Sequence, residues 1–480
     1  AIDEDKKLGH VSDDKLTDYE LQAVALKHIP VYLFCMEKMH EQIVDKMLSA
    51  AKKAGADGTD ITFISGGGTD VQIRLGKVES AERAEDYQMG LRVFCGKQTA
   101  TISTSQIDDD NITKLAERAV AMAKAAPEDP YARLATADEQ ARELPDIELC
   151  DHTNFSTDQL TDMARSCEDA ALSVSGITNS DGASASQNLT DILIATSTGF
   201  NASYQRSSFG FSAVVIAEKD GQMERDYDYS SAVFASDLDM PEVIGKEAAR
   251  RTLARLGARK PVTGSFPILY DKRVSRSLAG HFASATNGAA IARGTSFLKD
   301  SMGEKIASAA ITMIDDPLRP RGFGTCLFDG ETLPVSRQTM IDKGVLQGWF
   351  LDLATAAQLG LSPTGHASRS LSGPPSPSPS NLFIEDGAAT LEELIKDIEN
   401  GFYVTELMGS SVSLTTGDYS RGAAGFWIEN GEITWPAAEA TIAGNLKDMF
   451  MSLTPANDSD KRQSLSAPSL RVDAMMVAGS

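Results

Sequence analysis

Histidine and cysteine are scarce, with six and five residues in a chain of 480. The cysteines are Cys35, Cys95, Cys150, Cys167 and Cys326, odd in number, widely spaced and without a CxxC pair. This argues against a disulfide framework and a thiolate zinc site and fits a reducing compartment. No HExxH occurs. His40-Glu41 opens such a motif, but no second histidine follows within two helical turns, so the pair reads as a solvated helix face. Basic charge is also short: 45 Lys and Arg stand against 68 Asp and Glu, a formal net charge of −23. An acidic surface without a long Lys/Arg cluster repels phosphate backbones, so no nucleic-acid partner is expected. No apolar run approaches the roughly 18 residues a membrane-spanning helix needs. The opening Ala-Ile-Asp-Glu-Asp-Lys-Lys is too acidic for a secretory signal. The expectation is a cytoplasmic protein that makes no membrane contact.

What is present is an ordinary globular composition, 42% apolar and 24% charged, in a chain long enough for two or three domains. Residues 1–35 read as an extension outside the fold, with Met36 as a candidate start. In a first subdomain, 36–126, Ile43, Met47, Leu48 and Ala51 recur at helical spacing and stop at Gly55. Strands follow over Asp60–Ser65, Asp70–Leu75 and Met89–Phe94, with Gly66-Gly67-Gly68 and Gly76 as punctuation. A helix over Ile112–Ala125 has Asp110 or Asn111 as its N-cap. A linker rich in Pro and acidic residues then opens a second subdomain, 127–258. There the order repeats: a helix over Thr157–Val174, strands over Thr190–Thr196, Gly199–Tyr204 and Gly210–Glu218, and a helix over Met240–Leu256. The pattern suggests a duplication of helix, meandering antiparallel sheet and helix.

From 259 to 480 the sequence breaks into short β-like runs, such as Phe266–Tyr270, Val335–Ile341, Phe402–Leu407 and Phe426–Glu429. Helices interrupt them over Lys272–Asn287 and Thr390–Glu399. This predicts an antiparallel sheet or partly closed barrel, hence an α+β protein whose β-rich C-terminal domain is the natural home of a cleft. The Pro/Ser run Ser368–Ser380 forms neither ladder nor helix on this reading, leaving a surface loop or a flap over a peptide groove.

The informative stretch is Arg276-Ser277-Leu278-Ala279-Gly280-His281. Here the chain resembles the TldD/PmbA peptidase family, also called the modulator of DNA gyrase family. Its metal-bearing TldD type has His-Glu-x-Val-Gly-His at this place, giving two zinc ligands and a general base. This chain keeps Gly280-His281 but has Arg276 and Ser277 at the first His and the Glu. Arginine has no lone pair to give, and serine is no base at neutral pH. The TldD type draws its third ligand from a cysteine just before a Gly-aromatic-x-Ile-Glu-Asn-Gly strand. That strand stands here as Gly425-Phe426-Trp427-Ile428-Glu429-Asn430-Gly431, while Tyr419–Ala424 hold no cysteine. Weaker matches are Gly66-Gly67-Gly68-Thr69-Asp70, Ile314-Asp315-Asp316, Gly365-His366-Ala367-Ser368-Arg369, Pro379-Ser380-Asn381 and Thr415-Thr416-Gly417-Asp418. The resemblance covers most of residues 40–480 and is to the PmbA/TldE type.

The resemblance implies a subunit with no catalytic residue, no metal ligand and no cofactor of its own. Zinc is expected in a TldD-like partner, in a pseudo-symmetric heterodimer that threads unfolded peptides as extended strands. The alternatives are a stand-alone peptide-binding or regulatory homodimer, and an autonomous hydrolase using Cys326 as nucleophile. Candidate substrate contacts are Arg276, His281, His366, Arg369 and Asn381. Four of them also have a plain reading: a packed or paired helix residue for Arg276 and His281, turn chemistry for His366 and Arg369. Asp315-Asp316 before Pro317 reads as a turn cap rather than a metal site.

Overall fold

A computed structural model describes residues 42–479. The expectations for residues 1–35, Met36 and His40-Glu41 lie outside the described residues.

The N-terminal half is built twice over. Helix α1 (42–54) leads into β1 (Gly58–Arg74), β2 (Lys77–Cys95), β3 (Gln98–Thr104) and α2 (Asp109–Ala125). After a linker come α3 (Thr157–Leu172), β4 (Ile177–Thr196), β5 (Asn201–Lys219), β6 (Gln222–Ala232) and α4 (Pro241–Ala254). All six strands form one antiparallel sheet, ordered β3-β2-β1-β4-β5-β6. The two helix–meander–helix copies therefore meet through their first strands, with the same order running outward from the β1/β4 seam. Each pair of helices packs on one part of the shared sheet: Val44, Met47 and Ala116 on Ile61 and Leu91, and Leu160, Cys167 and Ile244 on Val71 of β1 and Phe211 of β5. Ser156 and Gln159 close a capping box on α3. Helix α2 begins slightly earlier than the apolar pattern implies, because Asp108, not Asp110 or Asn111, accepts from the Asn111 amide at 3.0 Å.

Gly66-Gly67-Gly68 does not break a strand. All three lie inside the continuous 17-residue β1. A Cβ on Gly66 would stand 2.4 Å from the Leu189 carbonyl oxygen, and one on Gly68 2.1 Å from Asn188 Oδ1. These glycines admit the close approach of β4, a tertiary demand that looks like turn chemistry in sequence.

The C-terminal half begins with β7 (Gly264–Tyr270), α5 (Lys272–Ala285) and α6 (Gly288–Ala292). It continues through β8 (Met313–Asp315), β9 (Gln338–Asp342), β10 (Val345–Leu346), α7 (Leu353–Leu359), β11 (Ala367–Ser368), β12 (Ser376–Pro377), β13 (Leu382–Ile384) and α8 (Leu391–Ile395). Long strands follow, β14 (Asn400–Val412), β15 (Asp418–Glu429) and β16 (Glu432–Asn445). The chain ends with α9 (Leu446–Met451), β17 (Thr454–Pro455), β18 (Leu465–Ser466) and β19 (Leu470–Ala478). Strands β16-β15-β14-β7-β19 close into a ring through β16 against β19, with β14/β7 the parallel pair. A smaller sheet, β10-β9-β8-β13-β18, lies beside it. Leu278, Ala279 and Phe282 of α5 join the same core as Ile268, Phe402, Ile442 and Leu470 of the ring. Asn430 and Gly431, at φ 51° and 79°, make the two-residue turn between β15 and β16 that an Asn-Gly pair favours.

The Pro/Ser run departs from its reading as ladder-free. A two-residue ladder pairs Ala367 with Pro377 and Ser368 with Ser376. Its loop is tied down on the N-terminal sheet: a Cβ on Gly90 of β2 would lie 2.5 Å from the Leu371 carbonyl oxygen. Beneath it, Arg369 is ion-paired with Asp60 of β1. Asp60 also takes Arg92 at 2.6 Å, and Arg92 reaches Glu331 at 3.4 Å. A buried chain of alternating charge thus joins the two halves.

Candidate functional site

Helix α5 starts where β7 leaves the ring, with the Asp271 side chain accepting from the Arg273 amide at 2.8 Å. Its exposed side faces a cavity of about 560 Å³ between β6 and the end of α4 on one wall and α5, β14 and β15 on the other. Arg225, Arg255, Arg273, Arg276 and Arg421 line it, against two carboxylates, Asp226 and Glu406. Three arginines are committed. Arg273 donates to Asp226 at 3.0 Å, Arg225 to Asp181 at 2.8 Å, and Arg255 pairs with Glu224 at 3.1 Å and with Glu406. Arg276 and Arg421 make no ion pair among the described residues. Arg276 has a long contact of 3.4 Å to the Tyr229 hydroxyl, and Arg421 donates its Nε to the Gly409 carbonyl at 2.8 Å.

The next residues of α5 turn inward. Ser277 donates its hydroxyl to the Val274 carbonyl of its own helix at 2.6 Å. His281 is half-buried against Tyr419, ring centroids 5.8 Å apart and edge to face, and its Nε2 makes no hydrogen bond with the protein. Burial, helped by the positive charge of Arg421, pushes its pKa down to about 4. The ring is therefore neutral at pH 7.

These groups do not fit zinc. A tetrahedral site needs several N, S or carboxylate donors converging. Around His281 stand a guanidinium, a hydroxyl turned into its own helix and a tyrosine ring. Among the described residues, no group of three or more His, Cys, Asp or Glu side chains is placed to hold a metal ion.

The depressed histidine has a consequence for stability. The unfolded imidazole titrates near 6.5 and the folded one near 4, so this contribution is complete above about 6.5 and is lost as pH falls toward 4. Against a His281→Gln variant, the natural chain is expected to lose about 2 kcal/mol more in urea melts between pH 7 and pH 4.

The other three expected contacts lie elsewhere. His366 is 4% exposed, with Nε2 3.2 Å from Asp315 Oδ2, Nδ1 2.8 Å from Thr364 Oγ1, and its ring edge on Phe350. Asp315 also accepts from the Ser380 amide and hydroxyl, at 2.9 and 2.5 Å. Asn381 is fully buried, accepting from Gly324 N at 2.7 Å and donating to the Asp316 carbonyl at 2.8 Å. Arg369 is buried on Asp60. None of the three lines the cavity, and in this conformation they brace the 365–381 segment rather than present a surface to a peptide. Asp316 accepts from Leu318 N at 3.1 Å, the turn arrangement read from Asp-Asp-Pro. Among the described residues no cysteine lines the cavity, and burial pushes the Cys326 thiol up to about 12, which keeps it protonated and poorly nucleophilic.

Of the residues singled out in sequence, Arg276 lines the cavity and His281 does not, while Arg255, Arg273 and Arg421, which also line it, were not singled out. These come from three elements spread over some 170 residues, and no local spacing announces that they share a wall.

Comparison with known proteins places this architecture. Three profiles described as PmbA/TldA metallopeptidase domains match in order: domain 1 at residues 59–123, the central domain at 150–256 and the C-terminal domain at 263–479. The chain is 35% identical to "Metalloprotease PmbA" of Escherichia coli O157:H7, over 95% of this chain and 100% of that protein. It is 32% identical to a Haemophilus influenzae homologue of the same name, over 93% and 98%. Among solved structures, a Bacteroides thetaiotaomicron protein described as a candidate modulator of DNA gyrase superposes with a TM-score of 0.84 at 27% identity, over 92% of this chain and 99% of that one. TldE from Thermococcus kodakarensis shares the fold, with a TM-score of 0.79 at 19% identity over 91% and 100%.

Proposed function

Because the chain belongs to the PmbA/TldD metallopeptidase family, we propose that it is a non-metal-binding subunit that shapes the peptide cleft of a cytoplasmic peptidase while a TldD-like chain supplies the zinc. The observation that carries this reading is α5: Arg276 and Ser277 stand where a ligand and a base are needed, and His281 is left without a second donor. The relatives' names assign metalloprotease activity to those proteins, and here the zinc chemistry belongs to the partner. Peptides, rather than nucleic acid, suit an acidic chain whose candidate cleft is lined by β14, a strand exposed over Met408–Ser411 just beyond its lining residues. No described helix is long and apolar enough to cross a membrane, and the four described cysteines are free thiols, which supports a reducing, aqueous setting.

The test is hydrolysis of an unfolded protein such as casein, with size-exclusion chromatography alongside. The pure chain is expected to show none. Adding a TldD-like chain is expected to give a co-eluting complex and chelator-sensitive cleavage. A pair that neither co-elutes nor cleaves, while this chain alone forms a peptide-binding homodimer, would favour a stand-alone binding protein. Cleavage by the pure chain in the presence of chelator, lost in Cys326→Ala, would point to a thiol hydrolase instead.

A further inference from the structure

We propose that the cavity beside α5 is a carboxylate-recognition subsite, in which Arg276 and Arg421 together grip a carboxylate of the bound peptide. The inference deepens, and rests on, the reading of this face as a peptide cleft.

The charge distribution is the first argument. The chain carries a formal −23, yet this one cavity is lined by five arginines and two carboxylates. The second is which arginines are spoken for. Asp226, Glu406, Glu224 and Asp181 are used by Arg273, Arg255 and Arg225. That leaves Arg276 on α5 and Arg421 on β15, both on the wall opposite β6, without an ion pair among the described residues. A guanidinium offers five N–H donors in a planar fork. Arg276 engages one of them, at 3.4 Å, and Arg421 gives its Nε to the Gly409 carbonyl and lies beside the Tyr419 hydroxyl, with no carboxylate among the described residues on either guanidinium. A carboxylate is the anion whose two oxygens match such a fork.

The rest of the lining suits a peptide end rather than a free inorganic ion. Val274, Leu407 and Leu465 give an apolar wall beside the arginines, and Tyr227 of the lining stacks on Tyr229 at 6.3 Å. A volume of about 560 Å³ lies in the ordinary range for ligand sites. The carboxylate has two possible sources, the peptide's C-terminal α-carboxylate or an Asp or Glu side chain. The two differ in where along the peptide the charge must sit.

Fluorescence anisotropy with three N-terminally labelled unstructured peptides separates these cases. One has a neutral body and a free C-terminus, one the same body amidated, and one is amidated with Glu as its last residue. They are titrated into the isolated full-length chain, and the same peptides unlabelled are compared as substrates of the complex with a TldD-like chain. The free acid is expected to bind about tenfold more tightly than its amide. Arg276→Gln and Arg421→Gln are each expected to erase that difference, and Arg276→Lys to retain part of it. Thermal melts matching the parent show that the variants fold. Tight binding of the amidated Glu peptide assigns the side chain as source and keeps the subsite. Equal binding or turnover of all three peptides, unchanged in the Gln variants, overturns the subsite while leaving the peptide cleft standing. If no peptide binds and the mixture does not cleave, the cleft reading fails too.

Discussion

Asp60→Ala is expected to destabilise the protein by about 3–5 kcal/mol, the usual cost of removing one partner from a buried ion pair. Asp60 is 2% exposed and stands between two arginines, Arg92 of its own sheet and Arg369 from the start of the Pro/Ser run. Both guanidiniums are buried, and Glu331, the other acid paired with Arg92, touches it only at 3.4 Å. Asp329, fully buried beside Glu331, has its pKa pushed up to about 7 by burial and by that neighbour, so it is a poor substitute counter-charge. Truncating Asp60 therefore strands positive charge at the junction of the two halves. Urea unfolding followed by Trp fluorescence measures the loss. Trp349, Trp427 and Trp435 all lie in the C-terminal half, so limited proteolysis adds a check on whether the N-terminal sheet releases first. The double variant Asp60→Leu/Arg369→Met removes one orphaned cation along with the acid, and is expected to lose less than Asp60→Ala alone.

Gly425→Ala should damage the ring of strands by about 3 kcal/mol or more, large for one added methyl. Gly425 opens the Gly-Phe-Trp-Ile-Glu-Asn-Gly strand and sits opposite Val404, where an extra β14 residue, Thr405, shifts the β14/β15 register. A Cβ there would fall 2.0 Å from the Tyr403 carbonyl oxygen and 3.0 Å from Thr405 N. Both are backbone atoms, so no side chain can rotate aside. The same strand places Trp427 at 2% exposure between Phe266 and Trp435, so disturbance reaches the core directly. The readout is the thermal midpoint with near-ultraviolet circular dichroism of the tryptophans. Gly422→Ala, three residues earlier on the same strand and meeting the Met408 side chain at 3.3 Å, is the milder control.

The duplicated plan of the N-terminal half was legible because helix spacing and strand alternation repeat in the same order. The pattern shortened its strands: β4 and β5 run through Ser/Ala/Gly-rich stretches, such as Gly182–Ser186, that carry little β signal and pair because long neighbours lie on both sides. Gly66-Gly67-Gly68 misled for a related reason, being chosen for closeness to β4 rather than for a turn. In the C-terminal half a barrel could be expected from the short apolar runs, but not its closure. That depends on β19, whose alternation is interrupted by a register shift between Val472 and Met475. At the candidate site the chemistry of one helix was readable, since a missing lone pair is a property of residue type. The arginine cavity was not, because it is assembled by tertiary contact. For His366, Arg369 and Asn381 the motif was legible but not the burial, because their partners Asp315, Asp60 and Gly324 lie far off in sequence.

Metal analysis of the isolated chain, purified without chelator and dialysed against micromolar zinc, addresses the account at its root. The account predicts far less than one zinc per chain, with no difference between the natural protein and His281→Ala. About one zinc per chain, abolished by His281→Ala, would contradict it, because the imidazole on α5 would then have found donors that its neighbours in this structure do not supply.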